Sequence, residues 1–208
     1  VTLQALRDMG VVIEDFGGQR IRIHGVGLNG LKAPIAPINV HDSELSLHVL
    51  LPVLAAQKFA VTFVADSNLV TQPFVELLAI VKTMGASVTT SESGCLPFTI
   101  ATENQLINQY KIDVKGRSRQ LKLAALIAGV MSQKNVELNL PRDLDGSDAV
   151  LSLFSCEQDA RTNDKGDNIL AVKQGQKPQA ASLDVPADDN KTAWLTLLAC
   201  LSPGSEFI

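Results

Sequence analysis

Apolar and polar residues follow a pattern that recurs three times along the chain. Each copy begins with helical spacing, passes a small turn and continues into two short runs of β-type alternation. The copies occupy residues 3–23, 75–100 and, less regularly, 150–172. Gly10 and Gly85 end the first two helical patterns, where glycine can adopt the left-handed conformation that terminates a helix. This repetition predicts an α/β domain in which copies of one unit share a core.

The same spacing predicts individual helices and strands. We expect helices over 43–57, 72–84, 119–131, 147–156 and 190–201, in addition to one at the start of the chain. We expect strands over 11–14, 19–24, 33–40, 60–64, 87–90, 98–101, 110–114, 136–140, 168–172 and 181–185. Ser43, Ser147 and Asn190 can cap the helices that they precede. Pro52 is expected to kink or shorten its helix, because proline has no N–H to donate.

Composition excludes several classes of function. The 208 residues are 46% hydrophobic and 19% charged. The formal net charge is -4, so the chain has no overall positive charge that would attract nucleic acid. No uncharged apolar run approaches the roughly 20 residues of a membrane helix, and the N-terminus has no signal pattern. Cys95, Cys156 and Cys200 have neither CxxC spacing nor a neighbouring histidine. We therefore expect reduced thiols, a cytoplasmic location, and no metal, cofactor, nucleic-acid or membrane partner.

Five segments of the chain together resemble one known family. They read LLPVLAAQ, FVADSNLVTQPFVELLAIVKTMGASV, GCLPFTI, GRSRQLKLAALIAGV and VPADDNKTAWLTLLACLSPGSEF. The residues and the spacing of these segments resemble the sequences of 5-enolpyruvylshikimate-3-phosphate (EPSP) synthases, which are enolpyruvyl transferases. The resemblance implies an inverse α/β prism, in which each domain holds three βαβαββ units. It also implies a repeat domain over 1–185, with an incomplete first unit at 1–30 and further units at 31–104 and 105–185. Residues 186–208 would then cross into a second domain not contained in this chain.

The family binds phosphoenolpyruvate with an Asn-Ser-Gly-Thr-Thr-x-Arg segment at a helix start, which reads DSELSLH over 42–48 here. Glu44 brings a negative charge to the positive helix end, and His48 replaces an arginine that would bind an anion in bidentate fashion. A second family arginine, in Leu-x-x-Arg-Pro, corresponds to Gln72. Losing two cations predicts a loss of several kcal/mol in anion binding, since each charge-assisted hydrogen bond is worth about 1.5–3 kcal/mol. We interpret Ser43, Ser46, His48 and Gln72 as positions of a degenerate phosphoenolpyruvate site.

The family's Ser-x-Gln segment, which binds the shikimate phosphate and ring, persists at the start of the helix over 119–131. The resemblance implies that Ser118 and Gln120 bind substrate, with Arg119 and Lys122 beside them. The basic residues of this cluster are Lys115, Arg117, Arg119 and Lys122. Positive charge at a helix N-terminus favours an anion, here shikimate 3-phosphate or phosphate. A solvated basic face with a serine cap would show the same pattern, so both interpretations stay open.

Catalytic residues remain unknown, because the proton-transferring groups of the family lie largely outside this sequence. His24 and His41 have no carboxylate or serine at a helical spacing that would form a dyad, and we expect them at the surface or at strand ends. Two classes of function stand. One is a domain of a shikimate-pathway carboxyvinyl transferase, completed by a second domain or chain. The other is a non-catalytic binding or scaffold domain, which the substitutions favour for this chain by itself.

Overall fold

A computed structural model describes residues 1–17, 20–90, 93–102, 109–114, 118–140, 149–162 and 168–181 of the chain. The helices are α1 (Thr2–Asp8), α2 (Glu44–Ala55), α3 (Ser67–Val70), α4 (Val75–Thr83), α5 (Arg119–Met131) and α6 (Ala149–Leu153). The strands are β1 (Val12–Asp15), β2 (Ile21–His24), β3 (Ile38–Asn39), β4 (Val61–Val64), β5 (Ala86–Thr89), β6 (Phe98–Thr102), β7 (Gln109–Asp113), β8 (Asn135–Leu140), β9 (Gln158–Thr162) and β10 (Asn168–Val172).

Two of the described sheets share one topology. Their strand orders are β3-β4-β6-β5 and β7-β8-β10-β9, and a third sheet is the hairpin β1-β2. In both larger sheets the first two strands are parallel, and the remaining pairs are antiparallel. A parallel pair needs a crossover connection, which α2 and α5 provide. The repeat that the sequence predicts is therefore a strand–helix–strand crossover followed by a helix and a hairpin.

The hydrophobic core lies where α2, α4 and α5 pack against one another and against the sheets. Leucines on α2 fill it, with Leu47, Leu50 and Leu51 almost fully buried. On α5, Ala124 and Ala128 are fully buried. Small side chains shorten the distance between packed helices, so α5 can lie close to its neighbours. This central position explains why α2 and α5 are apolar on nearly all of their faces.

Several element boundaries differ from the prediction. The strand expected over 33–40 is only Ile38–Asn39, since Pro34 and Pro37 cannot donate to a sheet ladder. The helix expected over 43–57 continues through Pro52 and ends at Ala55. Strand β9 is not among the individually expected strands, although the third copy of the repeat predicts two β runs, because its sequence, QDART, is polar and its side chains are largely exposed. The helix expected over 190–201 lies outside the described residues, as do 182–185 of the last expected strand.

Two glycines confirm the predicted helix ends. Gly10 has φ +89 and Gly85 has φ +96, both in the left-handed region that glycine enters without a steric cost. The N–H of Gly10 donates to the carbonyl of Arg7, and that of Gly85 donates to the carbonyl of Lys82. The same chain reversal therefore follows α1 and α4, which supports the equivalence of these two helices.

Cysteine and histidine chemistry is sparse in the described part of the chain. Cys156 is buried, which raises the pKa of its thiol, and Cys95 is half-buried; neither forms a disulfide. Cys200 lies outside the described residues.

Within the described ranges, no three His, Cys, Asp or Glu side chains converge on a point where a metal ion could bind. The helices in those ranges are too short or too polar to span a membrane.

Candidate functional site

The start of α2 is held by a chain of three hydroxyls. Ser43 caps the helix, since its Oγ accepts the N–H of Ser46 at 3.3 Å. The Ser43 and Ser46 hydroxyls are 2.7 Å apart, and the Ser46 hydroxyl is 2.8 Å from Oγ1 of Thr2 on α1. These groups bind one another and tie α1 to α2. An anion at this helix start would have to displace those bonds.

His48 packs inside the domain. Its exposed fraction is 3%, and its Nδ1 donates to the carbonyl oxygen of Glu44 at 2.9 Å. A carbonyl only accepts, so Nδ1 carries the proton. The ring meets Phe74 edge-on, with 6.2 Å between centroids. His48 therefore fills space and closes a local hydrogen bond, and it does not present a cation to solvent.

Glu44 sets the electrostatics of this helix start. It lies in the first turn of α2, and its Oε1 is 4.0 Å from Nδ1 of His48. A carboxylate near the positive end of a helix stabilises that helix by about 0.3–1 kcal/mol. The same charge opposes an anion at the same place. Asp42, which is exposed, adds a second negative charge.

Gln72 lies on the segment between α3 and α4 and is half-buried. Two residues later, Phe74 packs against His48, so this segment runs beside the first turns of α2. The structure thus brings the segment of Gln72 next to His48. The amide of Gln72 carries no charge that would offset Glu44.

The start of α5 carries different side chains from the start of α2. Ser118 caps the helix by accepting the N–H of Leu121 at 3.3 Å, and its hydroxyl donates to Oε1 of Gln120 at 3.2 Å. Gln120 is half-buried, and Arg119 is exposed beside it. Two of the expected substrate-binding side chains are therefore in direct contact, and a cation adjoins them. The described residues of the first turn contain no acidic side chain.

Lys122 behaves differently from the rest of the basic cluster. Its exposed fraction is 5%, although it lies only three residues from exposed Arg119. A solvated basic face accounts for Arg119 but not for a lysine buried to this extent. Lys115 and Arg117 lie outside the described residues. The structure therefore separates Lys122 from the exposed side of the α5 start.

A polar cluster that the sequence did not indicate lies directly before α2. Nδ1 of His41 is 3.0 Å from Oδ2 of Asp66, and Nδ2 of Asn39 donates to Oδ1 of Asp66 at 3.3 Å. The backbone N–H of His41 donates to Oδ1 of Asn39 at 2.8 Å. Hydrogen bonds from His41, and then from Asn39, lower the pKa of Asp66. His41 and Asp66 each follow a predicted strand, but the sequence by itself does not show that these two strands are parallel neighbours.

The other discounted histidine also has a carboxylate partner. Nε2 of His24 is 2.7 Å from Oε2 of Glu14, across the β1-β2 hairpin. This hydrogen bond lowers the pKa of Glu14. The expectation that His24 and His41 lie at the surface is confirmed, since both are exposed. The expectation that they lack carboxylates holds for helical spacing only, because Glu14 lies on the neighbouring strand β1 and Asp66 follows β4.

Two grooves occupy equivalent places in successive repeats. The larger, about 610 Å³, lies between α1 and residues 34–39, with Gln4, Asp8 and His41 on its wall. The smaller, about 370 Å³, lies between α4 and β7, with Glu76 and Thr83 on its wall. Each separates the helix before a hairpin from the first strand of the next unit. Their correspondence supports the repeat architecture.

Comparisons with known proteins agree over the whole chain. Residues 1–208 match the family described as EPSP synthase (3-phosphoshikimate 1-carboxyvinyltransferase). The 3-phosphoshikimate 1-carboxyvinyltransferase of Methylococcus capsulatus is 35% identical over 207 residues, which are 99% of this chain and 46% of that protein. The one of Ruthia magnifica is 31% identical over 206 residues, again 99% of this chain and 46% of the relative.

Solved structures agree as well. EPSP synthase from Acinetobacter baumannii superposes with a TM-score of 0.81 and 31% identity, covering 96% of this chain and 44% of that one. The chain thus spans about half the length of the curated relatives it matches. It belongs to the EPSP synthase family, and its fold is the α/β enolpyruvyl transferase-like prism of repeated units that the sequence predicts.

Proposed function

We propose that this chain is an anion-binding domain of EPSP synthase type, which binds shikimate 3-phosphate or phosphate at the start of α5. By itself it does not transfer a carboxyvinyl group. The observation that carries this proposal is the contrast between two helix starts. The α5 start has exposed Arg119 beside Ser118 and Gln120 and no acidic side chain among the described residues of its first turn, whereas the first turn of α2 carries Glu44.

Binding at α5 follows from the chemistry of a helix N-terminus. The first N–H groups of a helix have no partner within it and attract negative charge. Ser118 and Gln120 add a hydroxyl and an amide, and Arg119 adds a guanidinium that can bind phosphate oxygens in bidentate fashion. In this arrangement Gln120 orients the ligand, and Arg119 supplies charge. Because Lys122 is buried, it would contribute at most a positive electrostatic potential to the site and no direct contact with the ligand.

The α2 start explains the absence of transfer. Phosphoenolpyruvate would meet Glu44, and buried His48 offers no charge-assisted contact in place of an arginine. Gln72 does not restore the missing positive charge. The resemblance to the family implies that the groups that transfer protons lie largely outside residues 1–208, and the chain spans 46% of the Methylococcus relative.

A second function is supported by the match over the whole chain. In a longer protein, this domain would contribute to carboxyvinyl transfer from phosphoenolpyruvate to shikimate 3-phosphate, with a second domain or chain completing the enzyme. The two functions differ in whether phosphoenolpyruvate binds: the domain by itself would not bind it, and the longer protein would. The cytoplasmic location stays a prediction from the thiols and the N-terminal sequence.

Two measurements test the main proposal. Phosphate release from phosphoenolpyruvate plus shikimate 3-phosphate should not exceed the no-protein blank for residues 1–208. A rate above the blank that disappears in Gln120→Ala would overturn the claim of no transfer. Titration with shikimate 3-phosphate should give its largest amide shifts at Ser118, Arg119 and Gln120. Largest shifts at Ser43, Ser46 and His48 would instead assign the anion to α2.

A further inference from the structure

We draw no further inference here: the strongest candidate, the cluster of His41, Asp66 and Asn39 beside the groove between α1 and residues 34–39, carries no proposal, because these three residues hydrogen-bond one another and nothing in the described part of the chain shows what would occupy the groove.

Discussion

Nδ1 of His41 lies 3.0 Å from Oδ2 of Asp66, which joins two segments that are 25 residues apart. His41 follows β3 and Asp66 follows β4, and these strands are parallel neighbours. His41 has φ +49, a conformation that non-glycine residues rarely adopt. Its hydrogen bonds to Asp66 and Asn39 stabilise that conformation. Ser43, the N-cap of α2, follows two residues later, so the cluster lies directly before the start of α2.

Removing the histidine should raise the pKa of Asp66. The hydrogen bond from His41 is the largest cause that lowers this pKa, ahead of the one from Asn39. In His41→Ala we expect the Asp66 pKa to move up toward its ordinary value of 3.8. Carbon-13 NMR of the carboxyl group, titrated from pH 6 to pH 2, measures the change. His24→Ala is the matched control, since it should raise the pKa of Glu14 and leave that of Asp66 unchanged.

The same pair predicts the direction of a pH effect on stability. A carboxyl group whose pKa is lowered in the folded state stabilises the fold at pH values above its unfolded pKa. That contribution is lost as the pH falls through the folded-state value, below 3.8 for Asp66. The difference in unfolding free energy between the wild type and His41→Ala should therefore shrink below that pH. A difference that grew on acidification would contradict this assignment.

Substitution of Gly10 should destabilise the domain through its backbone. With φ +89, alanine at this position would incur about 1–2 kcal/mol of left-handed strain. The neighbouring atom is Cδ of the flexible Lys32 side chain, at 3.2 Å, so crowding adds little. Gly25→Ala is the control, because no atom lies within 4 Å of its added Cβ and its φ is not positive. Urea unfolding should show a loss for Gly10→Ala only, and equal losses would rule out the conformational explanation.

Truncation of Phe98 should be far more costly than truncation of an exposed phenylalanine. Phe98 is buried between Phe63 and Phe74, with ring centroids 5.8 Å and 6.5 Å away. Removing a buried phenylalanine side chain costs about 3–5 kcal/mol, including the cavity that remains. Phe16, which is exposed on the β1-β2 hairpin, should cost less than about 1 kcal/mol when changed to alanine. Similar unfolding midpoints for the two variants would show that Phe98 is not part of the core.

The elements that the sequence predicted well are those with an unambiguous local signal. Helix α5 was expected over 119–131 and spans Arg119–Met131, because Ser118 caps it and its apolar spacing is regular. Strand β4 was expected over 60–64 and spans Val61–Val64. The repeat predicts a β run before 168–172, but the residues of strand β9 are polar and exposed and show no alternation that would place it. Its position is determined by pairing with β10, which is a tertiary interaction.

In the candidate sites, too, local features could be predicted from the sequence and tertiary contacts could not. The serine caps at Ser43 and Ser118 could be predicted, since a cap depends on neighbours in sequence. The His41–Asp66 pair could not, because it requires knowing which strands are adjacent. The burial of Lys122 was hidden for a similar reason: a lysine near Arg119 looks solvated unless the packing against its aliphatic stem is known.

Two glutamines offer the sharpest test of where an anion binds. Gln120 contacts Ser118 at the α5 start, and Gln72 lies on the segment beside the α2 start; both are half-buried. A hydrogen bond to a charged group contributes about 1.5–3 kcal/mol, so Gln120→Ala should raise the Kd for shikimate 3-phosphate about tenfold or more. Gln72→Ala should leave the Kd unchanged within twofold, because Glu44 disfavours an anion near it. Isothermal titration calorimetry of both variants, with urea unfolding to check that each is folded, measures the contrast. Weaker binding in Gln72→Ala together with wild-type binding in Gln120→Ala would contradict this prediction. The anion would then bind at the α2 start, and other groups there would have to offset the charge of Glu44.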